Sequence, residues 1–355
     1  MPDPENHPRP FEAGSNDRRG SGRDVLIDPF GRRIDYLRLS VIDACNYRCV
    51  YCVPECGIAP TPAQGRLSAA ELVRVARVFA GLGVGRIRLT GGEPLVRRDL
   101  VDIAARIAAL DGVRDLSMST NGHRLGQQAK ALRAAGIGRV NVSLDSLDAE
   151  RFATITRGGR LDSVLDGIEA ARAAGMAPIK INMVVMAGEN DDELEAMLDF
   201  TRADELELRF IEAMPVGDAG ETAATRRIDA AAILERVRVW GGGDLIPATT
   251  SCGGGPARMF RFPGGRGTVG VISAVSRHFC ATCNRVRVTA EGDLLLCLGH
   301  EGAVSLREPM REGAGDAELA AIVRGAVARK PWGHEFDHAG AAHGVSPNQM
   351  LRTGG

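Results

Sequence analysis

The strongest constraint on the fold is a regular alternation of short apolar runs with longer amphipathic segments between residues 36 and 210. The short runs are rich in Leu, Val and Ile and predict six β-strands at 36–43, 86–90, 115–119, 139–145, 179–185 and 207–210. The longer segments carry apolar residues at helical spacing and predict helices at 68–80, 99–109, 127–135, 161–174 and 191–202.

Strands that follow one another in this order, with a helix between each pair, pair in parallel through right-handed crossovers. Six such units are too few to close an eight-stranded barrel, so the sequence predicts an α/β fold built as an incomplete, TIM-like (β/α)₆ barrel. An open doubly wound sheet is the alternative. In both arrangements, the ligand binds at the carboxyl ends of the strands.

The flanking regions have a different composition. Residues 1–34 are rich in Pro, Asp, Arg and Gly without periodicity, and we predict a disordered tail there. The barrel is expected at 35–215. From 216 to 355, Gly and Pro break the chain into turns and short strands, which indicates a second, smaller region with a final helix at 317–330.

The overall charge restricts the partners of this chain. Among 355 residues the formal net charge is −1, so nothing global directs the chain to nucleic acid or to an anionic membrane, and an anionic ligand needs a local cluster of Arg and Lys. We find neither a long apolar run that would span a membrane nor the apolar core of a secretory signal, and therefore expect a cytoplasmic protein.

Eight cysteines are present, and seven of them fall into two groups. In a reducing compartment, clustered thiols are more often metal ligands than disulfides. The first group is a C-x₃-C-x₂-C loop after a predicted strand, with Cys45, Cys49 and Cys52. Three thiolates can hold three corners of an iron–sulfur cube and leave the fourth iron open to a small chelating molecule. The alternative is a zinc site completed by Cys56.

The second group contains Cys280, Cys283 and Cys297, again three thiols. A zinc ribbon completed by Cys252 is the alternative. Beside this group, Arg285 and Arg287 alternate with apolar residues on a predicted strand and therefore face the same side. Two guanidinium groups next to a metal centre indicate an anionic ligand.

The C-x₃-C-x₂-C loop, followed by the segment TGGEPL after the second predicted strand, resembles the radical S-adenosylmethionine superfamily. The resemblance implies that the open iron binds S-adenosylmethionine and that reductive cleavage gives a 5′-deoxyadenosyl radical. The positions that match the superfamily's S-adenosylmethionine site, with Asn121 beside them, are Tyr51, Gly91, Gly92, Glu93, Thr120 and Ser143. Taken singly, Thr120, Asn121 and Ser143 are also ordinary helix caps and turn formers.

Across residues 36–298 and the final Gly354–Gly355, the sequence resembles one family of this superfamily more closely. The segments YLRLSVIDACNYRCVYC, RIRLTGGEPLVRRDL, RVNVSLDSLD, IKINMVV, LRFIEAMPVG and FCATCNRVRVTAEGDLLLCL resemble the GTP 3′,8-cyclase (MoaA) family of molybdenum cofactor biosynthesis. The resemblance implies a C-terminal extension of the barrel with a second [4Fe–4S] cluster, whose open iron binds the guanine of GTP. It assigns the triphosphate to Arg38, Arg86, Arg88, Lys180, Arg209, Arg285 and Arg287.

The implied reaction is removal of the 3′-hydrogen of GTP by the adenosyl radical, attack on C8, and formation of (8S)-3′,8-cyclo-7,8-dihydroguanosine 5′-triphosphate. As partners we expect GTP, an electron donor and the next enzyme of the pathway, with a homodimer as a further expectation. The alternatives are a peptide-modifying radical enzyme with auxiliary clusters and a zinc-stabilised binding module. We also expect the C-terminal Gly354–Gly355 to enter the cavity and contact the substrate or its arginines.

Overall fold

The computed structural model describes residues 25–59, 61–203, 206–248, 255–263, 267–300, 302–334, 336 and 349–354. Cys252, Gly355 and residues 1–24 of the predicted tail lie outside the described residues.

All six predicted strands are present. They are β1 (Tyr36–Ser40), β2 (Arg86–Thr90), β3 (Asp115–Thr120), β4 (Arg139–Ser143), β5 (Ile179–Val185) and β6 (Glu207–Glu212). Each strand pairs in parallel with the next one along the chain. The alternation of strand and helix in the sequence therefore predicted both the elements and their pairing.

The helices between these strands follow the apolar periodicity. They are α1 (Ala69–Gly81), α2 (Leu100–Ala108), α3 (Leu125–Ala134), α4 (Ala149–Thr156), α5 (Leu161–Ala173) and α6 (Leu194–Ala203). Ser68 begins α1 with a capping box, since its hydroxyl accepts from the Glu71 N–H while the Glu71 carboxylate accepts from the Ser68 N–H. Helix α4, which is short and begins after the N-cap Asp148, was not predicted from the sequence.

The C-terminal region extends the same sheet. Its strands are β7 (Ile246–Ala248), β8 (Arg258–Arg261), β9 (Thr268–Ile272), β10 (Arg285–Val288), β11 (Asp293–Leu295) and β12 (Ala303–Ser305). Strand β10 pairs in parallel with β1, and β9 pairs in parallel with β6. In the described residues the strand order is β12-β11-β10-β1-β2-β3-β4-β5-β6-β9-β8-β7. The expected division near residue 215 is therefore not a boundary of the sheet, because both edges of the six-stranded core are covered by later strands.

Among its described residues, the same region contains five helices, of which only the fourth was predicted. They are α7 (Asp218–Thr225), α8 (Ala230–Trp240), α9 (Arg307–Arg311), α10 (Asp316–Val327) and α11 (Met350–Thr353). The expectation of turns and short strands directly after residue 215 was wrong at 218–240, where Ala-rich segments favour helix and the glycines lie outside α8.

The sheet curves into a barrel. One cavity is lined by Arg287 of β10, Asn141 of β4 and Ile272 of β9. Strands β10 and β9 are the two outer strands of the eight that pair in parallel, and β4 lies in the middle. Eight flat strands at about 4.8 Å spacing would separate their outer members by roughly 34 Å. Side chains from both outer strands meet around one space only if the sheet wraps, which confirms the incomplete barrel with a C-terminal extension.

The predicted disordered tail ends earlier than residue 34. Ile27 and Arg33 form an antiparallel bridge, Leu26 and Ile34 are buried in the main core, and Asp28 pairs with Arg32 at 2.5 Å. The prediction was wrong for residues 25–34, because the apolar side chains of Leu26 and Ile34 and the buried ion pair anchor a turn whose composition is otherwise polar. None of the described helices combines the length and the apolarity needed to cross a bilayer.

Candidate active site and two cysteine groups

The first cysteine loop follows β1 and is held by the Gly91–Gly92 turn after β2. The Gly92 N–H donates to the Ile42 carbonyl at 2.7 Å, and the Glu93 N–H donates to the Ala44 carbonyl at 2.9 Å. A Cβ at Gly91 would lie 2.2 Å from the Ile42 oxygen, and one at Gly92 would lie 2.5 Å from the Ala44 oxygen. The two glycines are therefore required for the close approach of the turn to the cysteine loop itself.

Glu93 connects this turn to the end of β3. Its buried carboxylate accepts from the Thr120 hydroxyl at 2.7 Å, from the Asn121 N–H at 2.6 Å and from the Leu95 N–H at 3.0 Å. Burial raises the pKa of Glu93 to about 7, against the lowering effect of these three donors. The Asn121 amide in turn donates to Asn46 Oδ1 at 3.0 Å and lies 3.8 Å from Cys45 Sγ. Thr120 and Asn121 thus position the turn and the loop.

Tyr51 is fixed by a buried carboxylate. Its hydroxyl donates to Asp145 Oδ2 at 2.7 Å, and Asp145 Oδ1 accepts from the Val184 N–H at 2.9 Å. Burial raises the pKa of Asp145 to about 6. Ser143, at the end of β4, lies two residues before Asp145 and is half-buried. The loop, the glycine turn and these strand ends therefore meet at the carboxyl end of the barrel.

The thiols of the first group have raised pKa values. Burial raises the pKa of Cys45 to about 11 and that of Cys52 to about 12, and it holds the pKa of Cys49 well above its ordinary value. The negative charge of Glu93 adds to the shift at Cys45, and that of Asp145 adds to the shifts at Cys49 and Cys52. A thiol in these surroundings ionises only when it binds a metal, whose charge stabilises the thiolate.

Neither group surrounds a single ion. In the part of the chain that the structure describes, no three His, Cys, Asp or Glu side chains meet closely enough to share one metal. An iron–sulfur cube makes a different demand, because each cysteine binds a different iron. Cys45, Cys49 and Cys52 are free and half-buried, and they act on one another electrostatically. This donor set fits three corners of such a cube.

The second cysteine group faces a cavity inside the barrel. Cys280, Cys283 and Cys297 contribute to its wall. Five arginines share the wall with them: Arg38, Arg88, Arg209, Arg285 and Arg287. The structure thus brings together the second thiol group and five of the seven basic residues that the sequence analysis singled out.

These arginines form a concentrated positive charge. All are buried except the half-buried Arg38, and the Nε atoms of Arg38 and Arg285 are buried without a hydrogen-bond partner. Burial and the neighbouring guanidinium groups lower the pKa of Arg287 to about 10, and they lower the pKa of Arg38 as well. Burial of several like charges is unfavourable unless an anion joins them.

The other two predicted basic residues do not line this cavity. Lys180 is buried at 1% exposure and donates to Glu207 Oε1 at 3.1 Å, and Arg209 contacts the same carboxylate. Lys180 lies on β5 two residues before the cavity residue Asn182. Arg86 pairs with Asp35 at the beginning of β2. Lys180 therefore supports Arg209 through Glu207, and Arg86 braces the base of the barrel.

The surroundings of the second group are positive. For Cys283, burial would raise the pKa, but Lys330 and Arg285 lower it below its ordinary value. Burial raises the pKa of Cys280. These three thiols are also free, and they lie within electrostatic reach of one another. Their donor set fits an iron–sulfur cube as well as that of the first group does.

The C-terminal helix α11 brings Gly354 into the barrel. The Arg287 guanidinium donates to the carbonyls of Thr353 and Gly354, and a Cβ at Gly354 would lie 2.3 Å from Thr90 Cγ2. Gly354 also has φ +72°, which favours glycine. Gly354 thus contacts Arg287, one of the arginines that line the cavity, while Gly355 lies outside the described residues.

Several polar residues in and around the site were missed from the sequence. Asn141 and Asn182 line the cavity, and each has a buried amide oxygen without a hydrogen-bond partner. Their signal was available, since each is a polar residue inside a β-branched strand segment. Asp145, which orients Tyr51, had been counted only as the end of a strand.

Comparison with known proteins agrees with this arrangement. Residues 39–201 match the radical SAM superfamily, which implies S-adenosylmethionine and a [4Fe–4S] cluster, and residues 206–336 match the Molybdenum Cofactor Synthesis C family. Streptococcus suis SuiB, whose crystal structure contains S-adenosylmethionine, shares the fold with a TM-score of 0.56 at 15% identity, over 81% of this chain and 67% of that one.

Two relatives are much more similar in sequence. The GTP 3′,8-cyclase of Hydrogenovibrio crunogenus is 49% identical over 93% of this chain and 100% of its own length. The GTP 3′,8-cyclase of Pelotomaculum thermopropionicum is 46% identical over 88% of this chain and 95% of its own length. This chain belongs to the GTP 3′,8-cyclase family of radical SAM enzymes.

Proposed function

We propose that this chain converts GTP into (8S)-3′,8-cyclo-7,8-dihydroguanosine 5′-triphosphate, the first step of molybdenum cofactor biosynthesis. The observation that carries the proposal is a single cavity whose wall contains both five arginines and three cysteines. Cys45, Cys49 and Cys52 would hold the [4Fe–4S] cluster, which together with S-adenosylmethionine would supply the radical chemistry for removal of the 3′-hydrogen. The chain's own residues bind and orient both substrates.

The arginine cluster supports a triphosphate as the ligand. A triphosphate carries about four negative charges, so it can balance several buried guanidinium groups at once. Arg38 and Arg285 each hold a buried Nε donor without a partner, and phosphate oxygens are acceptors that suit such donors. We assign triphosphate contacts to Arg38, Arg88, Arg209, Arg285 and Arg287. For Lys180 and Arg86 we propose an indirect contribution to GTP binding, because Lys180 pairs with Glu207 and Arg86 pairs with Asp35.

The base and ribose of GTP are proposed to lie towards the second cysteine group. Cys280, Cys283 and Cys297 would hold a second [4Fe–4S] cluster, which would supply a binding position for the guanine. Asn141 and Asn182 project unpaired amide oxygens into the same cavity and can accept hydrogen bonds from the nucleoside. Both contacts orient the 3′-carbon without taking part in bond formation.

S-adenosylmethionine is proposed to lie against the first cysteine loop. Its methionyl amine would contact the backbone of Gly91 and Gly92, whose position Glu93 fixes through three hydrogen bonds. Tyr51, Thr120 and Ser143 complete the proposed site around the loop and the adjacent strand ends. Gly354 would close it from the cavity side, between Thr90 and Arg287.

The remaining partners are proposals of the same kind. The reaction would need an external one-electron donor, and we propose the next enzyme of the pathway as the partner that takes up the product. We also propose a cytoplasmic location, without nucleic-acid or membrane partners, and a homodimer as the assembly to test.

The proposal is tested by anaerobic reconstitution of the full chain with iron and sulfide. About eight irons and eight sulfides per chain are expected for two cubes. Incubation with GTP, S-adenosylmethionine and dithionite should then give 5′-deoxyadenosine and the cyclised nucleotide, detected by mass spectrometry. Four irons without a nucleotide product would support a different radical enzyme, and zinc without sulfide would support a binding module. Either result overturns the proposal.

A further inference from the structure

The segment that follows α10 closes one side of the second cysteine group, and its residue His334 also lines the arginine-lined cavity. The buried Lys330 donates from Nζ to the carbonyl of Leu296, the residue before Cys297. Three residues after Lys330, a Cβ at Gly333 would lie 3.2 Å from Cys280 Sγ. The N–H of the next residue, His334, donates to the same thiol. Residues 330–334 therefore pack directly against two of the three thiol positions.

Arg32, in the N-terminal turn, ties this segment to the cysteine loop. Its Nη1 donates to the Cys280 carbonyl at 2.7 Å and to the Trp332 carbonyl at 2.6 Å, and its Nη2 donates to the Pro331 carbonyl at 2.7 Å. Its Nε pairs with Asp28 at 2.5 Å. The rings of Phe30 and Trp332 each lie 5.2 Å from the guanidinium carbon. Only a planar fork with several fixed donors can make these contacts together.

Both cations thus bond to backbone carbonyls at or next to a cysteine of the second group, and both side chains are buried. We propose that Arg32 and Lys330 form a cationic clamp in which Arg32 positions Cys280 and Lys330 raises the reduction potential of the cluster at the second cysteine group. The inference rests on the second cluster of the proposed function, and it deepens that proposal by naming what holds the cluster and tunes it.

The effect of Lys330 follows from simple electrostatics. One-electron reduction adds one negative charge to a [4Fe–4S] cluster, and the electron comes from the external donor. A buried ammonium nearby stabilises that charge more strongly than an exposed one, because water screens it less. Loss of the ammonium should therefore make the cluster harder to reduce.

The test uses the full chain with Cys45, Cys49 and Cys52 all changed to Ser, so that only the second group can hold a cluster. After anaerobic reconstitution, a dithionite titration followed by electron paramagnetic resonance gives the reduction equilibrium. We expect Lys330→Met to lower the equilibrium constant for one-electron reduction about tenfold, which corresponds to about 59 mV. The matched control is Arg329→Met, which removes the same charge from an exposed neighbour and should leave the equilibrium unchanged. An unchanged equilibrium in Lys330→Met, or an equal shift in Arg329→Met, overturns the role of Lys330.

The positioning role of Arg32 is tested with Arg32→Lys, which keeps the charge and loses the fork. We expect iron to leave the second group for a chelator about tenfold faster than in the parent. Arg33→Lys, an exposed neighbour in the same turn, is the control and should match the parent. Asp28→Asn provides a second route, because it removes the carboxylate that orients Arg32 without touching the cysteine loop, and it should shift iron release in the same direction. Parent-like iron release in both Arg32→Lys and Asp28→Asn overturns the role of Arg32.

The outcome of the parent separates the two proposals. If the parent holds about four irons and four sulfides, and the Lys330, Arg32 and Asp28 variants match it in reduction and in iron release, the clamp alone is overturned. A parent without iron and sulfide overturns the second cluster of the proposed function, and the clamp with it.

Discussion

Each of the two cysteine groups contains three thiols, but the charged residues around the two groups have opposite signs. The first lies beside the buried carboxylates of Glu93 and Asp145, which add to the effect of burial and raise the thiol pKa values. Around Cys283 of the second group, Lys330 and Arg285 overcome burial and lower the thiol pKa. The difference shows how one barrel can create two distinct sites from identical ligands.

The physical consequence concerns electrons. A negative neighbour disfavours reduction of a cluster, and a positive neighbour favours it. The carboxylates near Cys45 and Cys52 therefore fit a strongly reducing cluster, which cleavage of a sulfonium requires. The cations near the second group fit a site that binds an anionic nucleotide and holds it still.

The two groups are also supported differently. The first loop is held by the Gly91–Gly92 turn and by Asp145, all within the first half of the chain. The second is held by Arg32 from the N-terminal turn and by residues 330–334. The hydrogen bonds that hold the first loop thus come from residues close to it in sequence, whereas those that hold the second come from both ends of the chain; the C-terminal helix also packs against the first site, through Leu351 at Gly92 and Gly354 at Thr90.

The largest effect should come from a matched pair of cysteine variants. Cys49→Ser should abolish formation of 5′-deoxyadenosine, because the first cluster loses a ligand. Cys283→Ser should still cleave S-adenosylmethionine but form no cyclised nucleotide, because the base is no longer held. Both products are measured by mass spectrometry after anaerobic turnover. Loss of 5′-deoxyadenosine in Cys283→Ser, with four irons retained at the first group, would show that the two sites cannot be separated.

The next effect concerns the cavity that the second group shares with the arginines. Arg38→Met should raise the KM for GTP about 10- to 100-fold, since one charge-assisted contact to phosphate is lost. Arg86→Met is the control, because Arg86 pairs with Asp35 and does not line the cavity. We expect a much smaller change in KM for it. Equal changes in the two variants would contradict the placement of the triphosphate.

Gly354 gives a third test of the dependence on chain ends. In Gly354→Ala, a methyl group would lie 2.3 Å from Thr90 Cγ2 at a residue with positive φ, so the tail should leave its position. We expect kcat to fall about tenfold or more, because the reacting groups lose their alignment. Iron content should stay unchanged. The control is Arg352→Ala, on the exposed side of the same short helix, and it should keep the kcat of the parent. A parent-like kcat in Gly354→Ala would show that the tail has no role.

The same contrast explains what the sequence could predict. The strands β1 to β6 and most of their helices follow from local periodicity, and the C-x₃-C-x₂-C loop with its glycine turn is local as well. Glu93 was found because it belongs to a short motif. Its actual task, three hydrogen bonds that bind the turn to β3, depends on the packing of two strand ends and could not be derived from spacing.

The second site was predicted less completely for the same reason. Arg285 and Arg287 were found through their alternation on β10, but nothing local linked them to Arg88 or Arg209. Arg32 lay within a segment predicted as disordered, because its stabilising contacts are with residues some 250 and 300 positions away. Pairing of β10 with β1 and of β9 with β6 was missed because long-range strand pairing leaves no period in the sequence.

The smallest effect tests the electrostatic contrast from the side of the first group. In Asp145→Asn, the amide can still accept from the Val184 N–H and contact the Tyr51 hydroxyl, so the loop keeps its position while one buried negative charge is lost. We expect the first cluster to become easier to reduce, by a few-fold to about tenfold in the equilibrium constant, which is at most about 59 mV. The titration is read by electron paramagnetic resonance in a chain with Cys280, Cys283 and Cys297 changed to Ser. Asp148→Asn, on the exposed N-cap of α4 where Asn caps equally well, is the control. The shift is opposite in sign to that expected for Lys330→Met, so equal signs in the two variants would refute the contrast between the groups.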